Sequence, residues 1–384
     1  MRVLIATVTA GAGHLQAAAA LEETWRTLRP DDQVARLDVL DFTSRLYRKT
    51  YVDGYVKLVK HAPDLWSLMF KKADNPALLR KINRVRRALA RIPTGRFVRE
   101  VRRLDPELVL CTHFLPQEIL GRLSESRRGP WPFVVSVVTD FEAHALWMEP
   151  AVKLYCVAAE ETKARLVARG IPTENVSITG IPIAAKFSAP VDVGAVRKRM
   201  GLRVELPTLL ILGGGFGMGP VKELLGELNR FDRSVQIMVV CGRNEQLREE
   251  VAALDHRHPT HVLGFAGNMH ELMAVADLIL TKPGGLTTSE ALAMGKPLLL
   301  LDPIPGQEAA NSDFLLEHGA AVKINRVEDL PFRLDRLLGS AKLKAMAKAA
   351  RSLGRPKAAP EICKSALKEF AARADQPTSS RKAE

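Results

Sequence analysis

The stretch VLIATVTAGAGHLQAAAA, residues 3–20, indicates the fold class. It contains an apolar strand, a turn through Gly11 and Gly13, and a helix rich in alanine. A strand, a glycine turn and a helix in this order open an α/β unit. A strand that is apolar along its whole length is typical of a parallel sheet covered by helices on both faces. The chain is therefore expected to begin with a doubly wound α/β domain.

The same order of elements returns in the second half, in TLLILGGGFGMGP at residues 208–220. Pro220 suits the first turn of a helix, where its missing N–H costs nothing. Short apolar runs of strand length follow both openings, at 34–39, 108–111, 133–138, 154–157, 176–178, 235–240, 262–263, 278–280 and 297–301. We predict two Rossmann-like doubly wound domains, residues 1–185 and 186–350.

Helical segments complete the predicted organisation. Residues 44–103 are predicted to be a helical insert of the first domain, broken near Pro63, Pro76 and Pro93. A helix is predicted at about 338–370. Residues 351–374 are assigned to a C-terminal helix, and the last residues, 375–384, are expected to form a disordered tail.

The composition excludes several classes of protein. Of the 384 residues, 47% are hydrophobic, which is enough for buried cores and excludes a disordered or fibrous chain. No apolar run approaches the ~18 residues of a membrane-spanning helix, and no signal peptide is expected before the first strand. The cysteines form no C-x-x-C pair, so we expect a reduced cytosolic chain without a zinc site or disulfides; they are Cys111, Cys156, Cys241 and Cys363.

Positive charge is concentrated in one segment. Residues 44–103 contain seventeen basic and four acidic residues, a net charge of +13, and the remaining 39 basic and 39 acidic residues balance. A charge confined in this way suggests an anionic partner surface, either a membrane leaflet or nucleic acid. Because Trp66 and Phe70 lie among these charges, a basic helix at a membrane interface is one interpretation. A solvated helical face with aromatic core residues is the other.

A glycine-rich loop at residues 213–219 is a candidate phosphate-binding element, with five glycines in seven positions. Glycines let the backbone approach a ligand closely, and amides at the start of the next helix favour a pyrophosphate. A tight turn without a ligand is the alternative. The loop lacks the Gly-Lys-Ser/Thr ending of a P-loop and the acidic residue of the dinucleotide fingerprint.

A second loop, KPGGLTTSE at residues 282–290, follows a strand and opens a helix. Its backbone amides would bind a phosphate, and Glu290 would accept hydrogen bonds from two ribose hydroxyls. Thr287 and Glu290 also have capping-box spacing, which leaves a structural role for Glu290 open. Three polar side chains after the next strand suit the hydroxyls of a sugar: Gln307, Glu308 and Asn311.

These motifs, in their order and spacing, resemble glycosyltransferase family 28. The resemblance rests on residues 213–219, Gly264-Phe265, Pro283–Glu290 and Pro303–Asn311. Thr9–His14 and Val138–Trp147 resemble the branch of monogalactosyldiacylglycerol synthases and processive diacylglycerol glucosyltransferases. The likeness covers residue 1 to about 350. One departure is that Ala10 and Ala12 flank Gly11, where the family often has consecutive glycines.

The resemblance implies a GT-B fold, with two Rossmann-like domains facing each other across a cleft. It implies that the C-terminal domain binds a UDP-hexose, with Gly215, Phe216 and Gly217 at the pyrophosphate and backbone near Phe265 and Leu286 at the uracil. Glu290 would hold the ribose, and Gln307 and Glu308 the hexose. The full set of donor residues carried over is Gly214, Gly215, Phe216, Gly217, Phe265, Gly284, Gly285, Leu286, Thr287, Glu290, Gln307, Glu308 and Asn311.

The implied reaction is inverting transfer to diacylglycerol, with no metal and no cofactor, and it needs a base for the acceptor's proton. His14 is the first candidate, because an ordinary histidine pKa of ~6.5 suits that work. Orientation of its own loop is the alternative role. Asp140 is the second candidate, either as the base or as a group that orients a histidine. The remaining acceptor-side candidates are Gly13, His113, His144 and Trp147.

Because diacylglycerol stays in a bilayer, we expect a cytoplasmic protein that is peripheral on the inner face of the cell membrane. Segment 44–103 would dock there, with Trp66 and Phe70 entering the interface. Each basic residue near an anionic leaflet contributes roughly 1 kcal/mol. Neutralising three arginines is therefore expected to weaken binding to anionic vesicles: Arg84, Arg86 and Arg87.

Four alternatives stay open at this point. One is transfer of N-acetylglucosamine to a polyprenyl-linked cell-wall precursor, and another is a sugar-nucleotide epimerase. A third is a non-catalytic UDP-sugar sensor. The fourth, a nucleic-acid-binding protein, has only the charge in its favour and no recognised motif, so no nucleic-acid partner is expected. Glucose is favoured over galactose, while the number of sugars added, the exact lipid acceptor and the oligomeric state are open.

Overall fold

The computed structural model describes residues 1–9, 11–75, 94–126, 131–213, 219–301 and 303–374. The chain forms two units. The first contains Met1–Ala184 and the C-terminal segment that begins at Lys357, and the second contains Ala185–Pro356. The first division falls one residue from the boundary expected between 185 and 186.

The first unit is built on a parallel sheet of six strands. They are β1 (Arg2–Thr7), β2 (Gln33–Asp38), β3 (Leu108–Cys111), β4 (Phe133–Val137), β5 (Val152–Val157) and β6 (Val176–Ile178), in the spatial order β2-β1-β3-β4-β5-β6. The helices up to this point are α1 (Ala12–Leu28), α2 (Arg45–His61), α3 (Pro63–Ala73), α4 (Gly95–Leu104), α5 (Phe114–Ser126) and α6 (Glu160–Ala168). The direction of winding reverses between β1 and β3, and ligands of such sheets bind at the carboxyl ends of these strands.

Alternating side chains of this sheet build a core on each face. Leu4 and Val109 belong to one core, whereas Ile5 and Leu110 belong to the other. The second of these cores also contains Ile362, which is buried in the last helix of the chain. The C-terminal helix therefore completes the hydrophobic core of the first unit.

The second unit repeats the plan with a second parallel sheet. Its strands are β7 (Thr208–Leu212), β8 (Gln236–Val240), β9 (Thr260–Leu263), β10 (Leu278–Thr281), β11 (Leu298–Leu301) and β12 (Ala321–Ile324), in the order β12-β11-β10-β7-β8-β9. Its helices are α7 (Val193–Met200), α8 (Val221–Leu228), α9 (Glu245–Ala252), α10 (Met269–Val275), α11 (Gly285–Ala293), α12 (Gln307–Glu317), α13 (Leu330–Leu337) and α14 (Ala341–Leu353). The switch point lies between β7 and β10. The predicted class of two doubly wound α/β domains is confirmed.

The prediction of one helix over about 338–370 is wrong. The structure has α14 and then α15 (Ala358–Ala374), with a break between them. At Gly354 a Cβ atom would collide with the carbonyl oxygen of Leu292, so the backbone leaves no room for a side chain there. Pro356 follows and has no N–H for a helical hydrogen bond. The chain therefore turns at this point, and α15 returns to the first unit.

The described part of segment 44–103 is helical, as predicted. Helix α2 ends at His61 and α3 begins at Pro63, which confirms the break near that proline. Residues 76–93 lie outside the described residues, and with them the predicted breaks at Pro76 and Pro93. Across the described ranges, every helix is too short or too polar to traverse a lipid bilayer.

Candidate active site

His14 lies in the first turn of α1, directly beyond the carboxyl end of β1, with Gly13 before it in the same turn. The helix is preceded by Gly11, whose φ of 122° is in a region that side chains disfavour. The hydroxyls of Thr7 and Thr112 lie 3.1 Å from the His14 carbonyl oxygen and 2.9 Å from each other. The ends of β1 and β3 thus fix the backbone of His14 at the switch point of the first sheet.

The tautomer of His14 follows from its contacts. Its Nδ1 lies 2.8 Å from the carbonyl oxygen of Thr112 and 3.0 Å from the hydroxyl of Thr139. A carbonyl oxygen can only accept, so Nδ1 carries the hydrogen and Nε2 carries the lone pair. Nε2 makes no hydrogen bond to any residue that the structure describes. His14 is therefore held in the form in which Nε2 can take up a proton.

The surroundings of His14 also keep it neutral. Burial lowers the pKa of this histidine, and the negative charge of Asp140 and the bond to Thr112 offset part of that effect. At neutral pH the imidazole is a free base, and Asp140 is close enough to stabilise the imidazolium that would form on proton uptake. Both base candidates from the sequence are thus brought together, close enough for the charge of Asp140 to act on the His14 ring.

His113 and His144 are both engaged in local structure. Nδ1 of His113 accepts from the backbone N–H of Leu115 at 3.0 Å, where α5 begins. Nδ1 of His144 accepts from Leu146 N at 3.1 Å, and its Nε2–H donates to the Phe70 carbonyl at 2.9 Å. Burial lowers the pKa of each of them, and that of His113 well below its ordinary value. Both are neutral helix-capping groups in this structure.

The rings of His14 and His113 form one aromatic wall with Trp147. The His113 ring lies 4.8 Å from that of His14, edge to face, and 6.4 Å from that of Trp147. Trp147 is buried, and its carbonyl accepts a 2.6 Å hydrogen bond from Gln117 Nε2. The structure therefore brings Gly13, His14, His113 and Trp147 to one place, while His144, three residues before Trp147, packs on Phe70 of α3.

Helix α3 carries the residues predicted to contact a membrane. The Phe70 ring packs 4.2 Å from that of His144 and 5.7 Å from that of Trp66. The exposed apolar side chains of this helix are instead spaced at i, i+3 and i+4, with exposed fractions of 51%, 51% and 50%: Leu65, Leu68 and Met69. Arg84, Arg86 and Arg87 lie outside the described residues.

In the second unit, Glu290 lies in the second turn of α11, nine residues after the end of β10. The helix begins at Gly285 with Gly284 as N-cap, so Thr287 is inside its first turn and the capping-box alternative is wrong. The Glu290 carboxyl is buried, and no described residue forms a hydrogen bond with it. Burial raises its pKa to about 8, although the charge of Lys186 opposes this. Such a carboxyl is suited to partners that a ligand supplies, such as a pair of hydroxyls.

The start of α12 lies beside the start of α11. Gly306 precedes it with a φ of 101°, which lets the chain turn sharply from β11 into the helix. Glu308 accepts from the backbone N–H of Ile304 at 2.8 Å, and its other oxygen is 3.9 Å from the place of a Cβ on Gly284. The buried Asn311 donates to the Pro283 carbonyl at 3.1 Å. Gln307 is in the same first turn, so the three predicted sugar contacts cluster near the 283–290 loop.

The other predicted donor contacts differ in how far the structure describes them. Gly214, Gly215, Phe216 and Gly217 lie outside the described residues. Leu286 is buried, whereas Phe265, after β9, is 61% exposed with the Arg243 guanidinium 5.3 Å from its ring centre. At the end of the glycine loop, the Lys282 side chain lies 4.0 Å from the place of a Cβ on Gly219. The Lys282 side chain therefore lies beside Gly219, the described end of the loop that the sequence predicts to bind a pyrophosphate.

Sequence reasoning missed the groups that hold the candidate base. Thr112 and Thr139 position the His14 ring, and each follows the end of a strand, β3 or β4. That position was a usable signal, because polar residues at the carboxyl ends of neighbouring parallel strands converge. The exposed Leu65, Leu68 and Met69 were also missed, although their helical spacing is visible in the sequence.

Comparison with known proteins bears on both units. A family model described as monogalactosyldiacylglycerol (MGDG) synthase matches residues 14–183, and the model of the glycosyltransferase family 28 C-terminal domain matches residues 208–366. The processive diacylglycerol β-glucosyltransferase of Bacillus pumilus is 31% identical over 356 residues, 92% of this chain and 91% of the relative. The chain belongs to glycosyltransferase family 28. The resemblance stated from the motifs is confirmed.

A second relative within family 28 has the same name as the first. The processive diacylglycerol β-glucosyltransferase of Bacillus subtilis is 33% identical over 342 residues, 86% of this chain and 85% of the relative. The protein is therefore a glycosyltransferase of the monogalactosyldiacylglycerol synthase and processive diacylglycerol glucosyltransferase branch.

Solved structures share the fold of this family 28 chain. Acinetobacter baumannii MurG superposes with a TM-score of 0.61 at 19% identity, over 96% of this chain and all of that one. HepE of Anabaena, in complex with UDP-glucose, gives a TM-score of 0.54 at 13% identity, over 96% and 99% of the two chains. These likenesses are to the fold, and the predicted GT-B fold is confirmed.

Proposed function

We propose that this family 28 glycosyltransferase moves a hexose, with glucose favoured over galactose, from a UDP-sugar to diacylglycerol and so makes a membrane glycolipid. The curated relatives are named for glucosyl transfer to diacylglycerol, and HepE was solved with UDP-glucose on the same fold. The observation that carries the proposal is the state of His14, a neutral imidazole whose Nδ1–H is fixed on Thr112.

The proposed chemistry is a single inverting displacement. Nε2 of His14 removes the proton of the diacylglycerol hydroxyl as that oxygen attacks the anomeric carbon of the hexose. The new C–O bond forms while the bond from the anomeric carbon to UDP breaks, and UDP leaves with the electron pair. The negative charge of Asp140 stabilises the imidazolium of His14, and Thr112 keeps the ring oriented.

The donor side of the proposal rests on groups in the second unit. Glu290 would accept hydrogen bonds from the ribose, and Gln307 and Glu308 would contact the hexose. Backbone N–H groups of the 213–219 and 284–286 loops, with the Lys282 side chain, would stabilise the negative charge that develops on the departing UDP.

Access to diacylglycerol requires contact with a bilayer, and α3 is suited to it. Leu65, Leu68 and Met69 form an exposed apolar face, and the exposed Lys71 and Lys72 follow directly on the same helix. Apolar side chains with flanking cations bind anionic interfaces. We therefore propose that the protein acts as a peripheral protein on an anionic inner leaflet, with α3 as a contact surface.

A product assay tests the transfer. The protein is mixed with diacylglycerol in anionic vesicles and, separately, with UDP-glucose, UDP-galactose or UDP-N-acetylglucosamine, and lipids are resolved by mass. We expect hexosyl-diacylglycerol from UDP-glucose. A parallel reaction supplies a polyprenyl-linked cell-wall precursor as the acceptor. N-acetylglucosamine transfer to that precursor, with no hexosyl lipid, would support the cell-wall alternative instead.

A vesicle-binding assay tests the membrane contact. Replacing Leu65, Leu68 and Met69 with serine removes three half-exposed apolar side chains, worth on the order of 1 kcal/mol each at an interface, so vesicle affinity falls about a hundredfold. The matched control changes three exposed apolar residues of the second unit to serine: Val204, Leu254 and Phe332. Equal vesicle affinity for both triple variants would exclude α3 as the contact surface.

A further inference from the structure

The last turn of helix α3 contacts the rest of the first unit. The helix has no buried side chain. The Phe70 carbonyl accepts from Nε2 of His144 at 2.9 Å, and the two rings pack at 4.2 Å. The next residue with contacts to the body of the unit is Asp74, which is the C-cap of the helix.

Asp74 joins three parts of the first unit. One carboxylate oxygen accepts from the backbone N–H of Ala145 at 2.8 Å. Both oxygens accept from the guanidinium of Arg169, each at 2.7 Å, and Arg165 on α6 adds a longer contact at 3.4 Å. Burial would raise the pKa of Asp74, but its hydrogen bonds to Arg169 and Ala145 keep it below the ordinary value. The group is therefore a fixed, charged link rather than a mobile surface residue.

The segment that Asp74 holds is the one that leads to the aromatic wall of the candidate active site. Arg169 also donates to the Ala143 carbonyl at 3.3 Å. The Asp74–Arg169 pair therefore binds residues 143–147 at two backbone positions, Ala143 and Ala145. Two residues after Ala145, Trp147 lies 6.4 Å from His113, whose ring is 4.8 Å from His14. The C-terminus of α3 is thus connected to the candidate base through the Asp74–Ala145 hydrogen bond, the backbone from Ala145 to Trp147, and the ring packing of Trp147, His113 and His14.

We propose that Asp74 is a positioning residue, which couples the seating of α3 on a lipid surface to the placement of residues 143–147 beside His14. This inference rests on the proposed function, because it takes diacylglycerol in a bilayer as the acceptor. A lipid surface that binds α3 fixes the position of Asp74, the C-cap of this helix. Asp74 and Arg169 form hydrogen bonds with the backbone of Ala145 and Ala143, so these residues are fixed as well. Arg169 shares the role, since a planar guanidinium engages both carboxylate oxygens at once.

The proposed coupling predicts different effects of an Asp74 variant on lipid binding and on the rate of transfer. The apolar face of α3 does not include Asp74, so a variant at Asp74 keeps its affinity for vesicles. The same variant loses the fixed position of residues 143–147 when α3 is seated. Transfer to diacylglycerol in a bilayer then falls, whereas transfer to a dispersed short-chain diacylglycerol, which needs no seating of α3, stays near the wild-type rate.

The test is Asp74→Asn, compared with Asp64→Asn as the matched control. Asp64 is on the same helix, is exposed, and undergoes the same change of charge. For Asp74→Asn we expect a fall of at least tenfold in kcat on vesicle diacylglycerol, with vesicle affinity, UDP affinity and the rate on dispersed dioctanoylglycerol within twofold of wild type. Asp64→Asn stays within twofold of wild type in both rates and in UDP affinity, and its vesicle affinity rises by about fivefold at most, because α3 loses one negative charge.

Two further variants distinguish a loss of positioning from a folding defect. Arg169→Lys keeps the charge but cannot form the bidentate pair, so it should show the same selective loss to a smaller extent, about three- to fivefold. Asp74→Asn combined with Arg169→Lys should be no worse than Asp74→Asn alone, because both changes break one contact. The thermal unfolding midpoint and UDP binding report the folded state of each variant.

Two outcomes overturn the inference. One is a vesicle rate for Asp74→Asn equal to that of wild type. The other is an equal loss on vesicles and on dispersed dioctanoylglycerol, which would make Asp74 a purely structural residue. Failure of the proposed function looks different, since wild-type protein would then give no hexosyl lipid with any acceptor.

Discussion

Burial acts on one key group in each unit, with opposite chemical results. In the first unit, His14 is in the first turn of α1, and in the second unit Glu290 follows the start of α11. Burial lowers the pKa of His14 and raises that of Glu290 to about 8, so both are mostly uncharged near neutral pH. The same loss of solvent therefore yields a proton acceptor in one unit and a carboxyl that still holds its proton in the other.

The contacts of the two groups explain why their roles differ. His14 is oriented by protein atoms before any ligand binds, through Thr112 and Thr139. Glu290 has no hydrogen bond from any described residue, so its partners come with the ligand. Preorganised groups act mainly in the transition state, whereas groups that a ligand completes act mainly in binding. Changes at His14 should therefore alter kcat, and changes at Glu290 should alter donor affinity.

Replacement of His14 by alanine gives the largest expected effect. Loss of a general base costs about 10²- to 10⁴-fold in rate, so kcat for transfer should fall within that range. The affinity for UDP, measured by calorimetry, should stay within twofold. A fall of less than tenfold in kcat, or a matching loss of UDP affinity, would contradict the assignment of His14 as base.

Replacement of Glu290 by glutamine should weaken the binding of UDP-glucose by roughly 10- to 100-fold at pH 9, because hydrogen bonds to a charged acceptor are worth about 1.5–3 kcal/mol. The value of kcat at saturating donor should change little. Leu254→Ala, an exposed change in the same unit, serves as the control.

The pH dependence of donor affinity sharpens the assignment of Glu290. If ribose hydroxyls donate to the carboxylate, binding requires the ionised form, whose population rises with pH through the pKa of about 8. Wild-type affinity for UDP-glucose should therefore rise about tenfold from pH 7 to pH 9, and the glutamine variant should show no such rise. Affinity that falls with pH would mean that the protonated carboxyl is the binding form.

Asp140→Asn tests the charge beside His14, with a smaller expected effect. The carboxylate raises the pKa of His14 against the effect of burial, so its removal lowers that pKa further. The acidic limb of kcat/KM, already below about pH 6.5, should move to lower pH. The plateau should fall roughly tenfold, since the imidazolium loses a stabilising charge. A limb that moves to higher pH would contradict this account.

His113→Asn should have the smallest effect on transfer. The asparagine oxygen can still accept from Leu115 N at the start of α5, so kcat should stay within about threefold of wild type. The same substitution at His14 should cost more than about 100-fold, as expected for loss of a base. Similar losses at both histidines would mean that the capping role assigned to His113 is incomplete.

The sequence predicted the architecture because each domain begins with a recognisable strand, glycine turn and helix. Continuous apolar strands and the two opening glycine turns sufficed for two parallel sheets and for the position of His14, and the 282–290 loop sufficed for the position of Glu290. The interruption between α14 and α15 was missed, although Gly354 and Pro356 are a local helix-stop signal; only the close approach of Gly354 to Leu292 is a tertiary contact that the sequence does not show.

The sequence predicted which residues lie at the site, but not the contacts that these residues make. The capping-box spacing of Thr287 and Glu290 was a real ambiguity, and only the start of α11 at Gly285 resolved it. The tautomer of His14 depends on a carbonyl 98 residues away, at Thr112. The link from Asp74 to Ala145 and Arg169 has no signature in the sequence at all.

The stereochemistry of the product tests the central claim most directly. UDP-glucose carries an α-linked glucose, and a single displacement assisted by His14 inverts that centre. Proton NMR of the lipid made from UDP-glucose and vesicle diacylglycerol should show a β-glucosyl linkage, and the His14→Ala variant should make none in the same time. An α-linked product, or no glucosyl lipid from the wild-type protein, would contradict the account.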